Sequence, residues 1–175
     1  MRDNDKTKVY EAEFATRDLS TYGGTVELHG NRMTLPIERK FASLDSIQTY
    51  VDAVLNLNWV RAAWPESGGV RVVKRKGIAY ATYRHATREM RINDTHDGMW
   101  ALREIVVLHE LSHHLMFATH GFNDKLQSHG VEFRAIFLAM VEELIGPEIA
   151  WILRMQYMER GLSVVPTQDT EMAAT

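Results

Sequence analysis

The spacing of apolar positions divides the chain into a strand-rich first half and a helical second half. "VYEAEFA" (9–15) alternates weakly and predicts a strand. In "TVELHGNRMTLPI" (25–37), Val26 and Leu28 alternate with polar residues, as do Met33, Leu35 and Ile37. Gly30-Asn31 between them is turn chemistry, so the stretch predicts a hairpin. "SLDSIQTYVDAVLNL" (43–57) carries one helical stripe through Leu44, Ile47, Tyr50, Val51, Val54 and Leu55, with Ser43 as its cap. "WPESGG" breaks the pattern. "VRVVKRK", "IAYATYR" and "REMRIN" (70–93) predict three short strands. From there the period changes. "MWALREIVVLHELSHHLMFAT" (99–119) predicts a long apolar helix, buried on most sides, and "HGFNDKLQS" (120–128) a polar loop. "VEFRAIFLAMVEELI" (131–145) and "PEIAWILRMQYMER" (147–160) predict two more helices, with Pro147 suited to a first turn and Gly161 to an end. Strands followed by helices imply an α+β fold. The expected organisation is one domain over 9–161, with flexible tails at 1–8 and 162–175.

A chain of 175 residues, 45% of them hydrophobic, can bury an ordinary core. A net charge of -3 gives no global attraction for nucleic acid or anionic lipid. The absence of cysteine excludes disulfides, thiolate metal sites and a cysteine nucleophile. The first residues, "MRDNDKTKVYEAEF", lack the apolar core of a signal peptide. No run approaches the roughly 18 apolar residues of a membrane span. The expectation is a soluble cytoplasmic protein with no membrane partner.

Within the long helix stands His109-Glu110-Leu111-Ser112-His113. Residues four apart differ by about 40° in direction and lie roughly 6 Å apart along the axis, so His109 and His113 can converge on one ion. Glu110 is turned by about 100° from His109. It is poorly placed as a ligand and well placed beside a water. Zn2+ lowers the pKa of such a water to about 7, and a neighbouring carboxylate can take its proton. The alternative is two exposed histidines beside a solvated glutamate. Against it stand the uncharged flanks Val106, Val107, Leu108 and Leu115.

A third ligand is found by elimination. The metzincin pattern would place its glycine at Met116 and its last histidine at Thr119, so it fails; His120 comes one residue late. A thermolysin-like site would use Glu132, Glu142 or Glu143, but Ile136, Gly146 and Pro147 occupy the positions of the required aspartate. His129 remains. It opens the second helix, on the face that continues through Phe133, Ile136 or Phe137, and Met140. His29 and His85 are expected at the surface, His96 ahead of the motif helix, and His114 in packing or support.

"HELSHH…SHGVEF" resembles the SprT-like (Spartan-type) zinc metalloproteases, in which H-E-x-x-H is followed by a third histidine in an H-G-x-x-F/W string. The resemblance covers about residues 99 to 140. It implies a zincin-like fold, zinc ligands at His109, His113 and His129, and Glu110 as catalytic base. "TVELHG", "FASLDSIQTYVDAVL" and "WALREIVVLHELSHHL" extend it to a small group of uncharacterised bacterial and phage metallohydrolases, with no substrate attached. Many SprT-like proteins carry a cysteine zinc ribbon or a DNA-binding tail; this chain has neither, which sets it apart from the DNA-linked members.

Three functions follow as expectations. The first is a zinc-dependent hydrolase acting on a peptide or protein, with "REMRIN" as the edge strand that receives it. The second is a weak nucleic-acid contact through Arg71, Lys74, Arg75, Lys76, Arg84, Arg88 and Arg91, interleaved with Tyr80 and Tyr83 and opposed by Glu89 alone. The same residues also fit a charged solvent face. The third is a metal-stabilised binding protein without turnover. Tyr157, His120 and Arg134 are candidates to stabilise an oxyanion.

Overall fold

The computed structural model describes residues 3–21, 23–28, 30–77, 81–94, 101–121 and 126–164. In chain order the elements are α1 (Lys6–Ser20), β1 (Gly24–Leu28), β2 (Asn31–Leu35), α2 (Leu44–Leu55), α3 (Asn58–Ala63), β3 (Arg71–Lys74), β4 (Thr82–Arg84), β5 (Glu89–Ile92), α4 (Glu104–His120), α5 (Val131–Leu144) and α6 (Pro147–Glu159), with a 3-10 turn at His85–Thr87. The chain is α+β, as the element order implies. By its contacts the chain divides into two compact units. One is Arg39–Phe122; the other is Met1–Glu38 together with Asn123–Thr175.

The unit Arg39–Phe122 is a three-stranded sheet with helices packed on it. Ser43 caps α2 through a reciprocal capping box with Ser46, and Ile47, Val51, Val54 and Leu55 are its buried stripe. The strand order is β3-β5-β4, with β5 parallel to β3 and antiparallel to β4. The predicted edge strand "REMRIN" is therefore the centre of the sheet. Met90 and Ile92 are fully buried; the segment's place just before the motif helix does not make it the edge. The side chain of Gln48 closes the outer side of β3: it donates to the Val70 carbonyl at 2.9 Å and accepts from the Val72 amide at 2.7 Å. Among the described residues, β4 is the edge left without a further partner strand. α4 packs on β4 and α2. Its start is fixed by the bridge between Lys40 and Arg103 and by the Glu104 amide donating to the Arg39 carbonyl. Glu104, buried in the first turn where the helix dipole favours an anion, accepts from the Arg39 guanidinium at 3.0 Å. Burial and the adjacent Glu104 carboxylate push the Tyr50 phenol well above its usual range.

In the second unit, α6 packs against α1, α5 and β2, beside the β1–β2 hairpin. The strand predicted at 9–15 is instead part of α1. Val9, Ala12, Thr16 and Ser20 are buried at spacings of three and four, and the Thr16 hydroxyl donates to the Ala12 carbonyl. That stripe is mostly small and partly polar, so its helical period is weak in hydrophobicity. Nor is 1–8 a tail from residue 3 onward, because Asp3 and Asp5 are both bonded into the unit. The predicted tail from Leu162 is also held at its start. Gly161, at φ +69°, donates to the Met158 carbonyl and the buried Leu162 donates to the Tyr157 carbonyl, closing α6 with a Schellman motif.

Candidate metal centre

α4 is buried over every residue from Glu104 to Met116. No single apolar stripe is needed on such a helix, and its polar residues lie inside the protein. His109 and His113 are 2% and 8% exposed, and Glu110 is 3% exposed. One turn apart, the two imidazoles meet edge to face, with their Nε2 atoms 3.1 Å from each other. Two nitrogens each about 2.0–2.1 Å from a tetrahedral ion would lie about 3.3 Å apart, so the separation of this pair is close to that of two ligands on one ion. The donor chemistry also fits: neutral imidazole is a good zinc ligand.

His114 points elsewhere, as the helical rotation requires. Its Nδ1 accepts from the Tyr83 hydroxyl at 2.8 Å and its Nε2 faces the Gly68 carbonyl at 3.3 Å, so the ring is neutral with its proton on Nε2. Burial is the main cause that lowers its pKa to about 4, and burial pushes the Tyr83 phenol up to about 12. The pair ties β4 to α4 one residue after His113.

His129 belongs to the other unit, immediately before α5, and is 4% exposed. Gly130 is the helix N-cap. A Cβ there would lie 3.1 Å from both the Gln127 carbonyl and the Glu132 carboxylate, tighter than ordinary contact, so glycine keeps this turn closed. The His129 ring contacts Tyr10 and Phe133, with centroids at 5.3 and 5.1 Å. Its Nδ1 is 2.6 Å from Asp3 Oδ2. Its carbonyl accepts from Arg134, whose guanidinium also pairs with Asp5 at 2.7 Å and donates to the Ser163 carbonyl.

The other candidates separate clearly. His120, Glu142 and Glu143 are exposed, as is His85. Tyr157 is wholly buried and its phenol is raised by that burial, while Arg134 is committed to its three partners. His29, His96 and Tyr80 lie outside the described residues. Of the basic stretch, Arg71 pairs with Glu89 and Lys74 with Asp94. Lys74, Arg75, Lys76, Tyr83, Arg84 and Arg91 line an open cleft of about 570 Å³. Asp3, Asp5 and the role of Arg134 had no sequence signal, since the contacts to His129 and Arg134 span more than a hundred residues.

Compared with family models, curated proteins and solved structures, the chain matches none.

The low pKa of His114 sets a pH dependence of stability. The folded ring stays neutral down to about pH 4, whereas the unfolded ring takes a proton near pH 6.5. Its contribution is complete above pH 6.5 and is lost as pH falls to about 4, by at most about 3 kcal/mol. In urea unfolding of the metal-free protein, His114→Gln should reduce the slope of stability against pH in that window by up to one proton. An unchanged slope would remove His114 as the cause.

Proposed function

We propose that the protein is a zinc-dependent hydrolase, and within that class a peptidase, with His109, His113 and His129 as ligands and Glu110 as base. The observation that carries this reading is the pair of Nε2 atoms 3.1 Å apart on a buried helix, with Glu110 buried beside the first of them. All three histidines are buried, and among the described residues they are a set that could serve one ion. When bound, a zinc ion held by neutral imidazoles keeps its double positive charge and acidifies a coordinated water to a pKa of about 7. Glu110 takes a proton from the attacking water and delivers it to the departing amine. A purely structural site has no use for a carboxylate beside its ligands. The SprT-like resemblance supports peptide as the substrate class. An extended peptide can add to the edge of β4, which Tyr83 fastens to α4.

Glu110→Gln tests this. The variant should bind zinc at wild-type stoichiometry and unfold at the same urea concentration, while hydrolysis of an unfolded protein such as casein falls by about 10²–10⁴-fold. Activity within a few-fold of wild type would remove Glu110 as base. A wild-type protein that binds zinc and cleaves nothing in a broad peptide library would favour a metal-stabilised binding protein.

The basic cleft favours a second reading, a nucleic-acid contact. With two of its neighbouring cations already paired, the cleft should bind DNA only weakly, with affinity falling steeply as salt rises and reduced further by the triple change Lys74→Ala, Arg75→Ala, Lys76→Ala. A tight, sequence-selective complex surviving about 0.2 M salt would promote this reading over the first.

A further inference from the structure

We infer that Asp3 is a positioning residue for the metal centre: its carboxylate fixes the His129 ring in the Nδ1–H tautomer and so presents Nε2 as the ligand atom. The inference rests on the reading of His129 as a zinc ligand. Asp3 Oδ2 lies 2.6 Å from His129 Nδ1, and both side chains are largely buried, at 20% and 6% exposure. An ionised carboxylate can only accept, so Nδ1 is the donor. A neutral imidazole has one ring proton; with that proton on Nδ1, Nε2 carries the lone pair. His109 and His113 present Nε2 to each other as well, so the three rings would offer the same type of atom.

The rest of the surroundings removes the ring's remaining freedom. Tyr10 and Phe133 both contact the ring, which limits rotation about the Cβ–ring bond. Arg134 holds the His129 carbonyl and is itself held by Asp5 and by the Ser163 carbonyl. Asp5 begins α1 yet makes no side-chain cap bond to it; its carboxylate goes to Arg134 instead. Two aspartates two residues apart thus serve one histidine, one through its ring and one through its backbone. The N-terminal segment is part of the metal centre's support and not a tail. A carboxylate behind a ligating histidine also raises the basicity of the ligating nitrogen, and loss of such a partner typically weakens metal binding by about 10–100-fold.

The test uses the full chain and two variants, Asp3→Ala and Asp3→Glu. The first readout is the tautomer of His129 in metal-free protein at about pH 8, where histidine is neutral, from the 15N shifts of its ring nitrogens. Wild type should show a protonated Nδ1 and a lone-pair Nε2; Asp3→Ala should show the opposite tautomer or a mixture; Asp3→Glu should restore the wild-type pattern. The second readout is zinc affinity in chelator competition. Asp3→Ala should lose about 10–100-fold and Asp3→Glu recover to within a few-fold. A urea midpoint close to wild type for Asp3→Ala separates this effect from general unfolding. An Nε2–H tautomer in wild type overturns the inference. So does wild-type zinc affinity in Asp3→Ala, provided that His129→Ala binds zinc far more weakly. If His129→Ala keeps wild-type affinity, the three-histidine reading fails and the inference fails with it.

Discussion

A helix buried over thirteen successive residues has to give every polar side chain it carries a partner or a function, because water is not there to solvate it. α4 carries six such residues in that stretch: Glu104, His109, Glu110, Ser112, His113 and His114. Glu104 is answered by Arg39, Ser112 by the Leu108 carbonyl, and His114 by Tyr83 and Gly68. His109 and His113 meet edge to face one turn apart, with Glu110 buried next to the first of them. The two Nε2 atoms converge at a separation close to that of two ligands on one ion. The metal hypothesis gives these three residues a common purpose, and the remaining polar contacts hold the helix in the orientation that the purpose needs.

The supports are distributed through sequence in an orderly way. Inside Arg39–Phe122, the strand-like segment at 39–41 fixes the first turn of α4, and β4 fixes its middle through Tyr83. Gln48 seals β3, so the sheet presents β4 as its edge. In the other unit, α1, α5 and the start of the segment after α6 all converge on His129 and Arg134. Buried Arg134 is acceptable energetically because its charge meets Asp5 and it also donates to the Ser163 and His129 carbonyls.

Local chemistry was legible in the sequence, and long-range chemistry was not. The hairpin followed from turn chemistry between two alternating runs, but its register pairs Leu28 with Asn31, so Asn31 opens β2 and the turn lies one residue earlier than Gly30-Asn31. α2 followed from Ser43 and a clean stripe. The H-E-x-x-H pair followed from helical geometry alone. α1 was misread because Val9, Ala12, Thr16 and Ser20 form a face with little hydrophobic contrast. β5 is central and not the expected edge because strand order is set by tertiary pairing, not by a strand's place in sequence just before the motif helix. Asp3 could not be found at all: it lies 126 residues from the histidine it serves, and an aspartate among polar residues near a terminus looks the same as a solvated one.

The claim on which this account stands is that His109, His113 and His129 hold one zinc ion. A crystal structure of the zinc-loaded protein, with the metal located by its anomalous signal, tests it most directly. The account predicts one ion with a ring nitrogen of each of the three histidines at about 2.0–2.1 Å, Nε2 in the case of His129, and a fourth position open to water. An ion bound by His120 or Glu132 in place of His129, or no ion at saturating zinc, would contradict it.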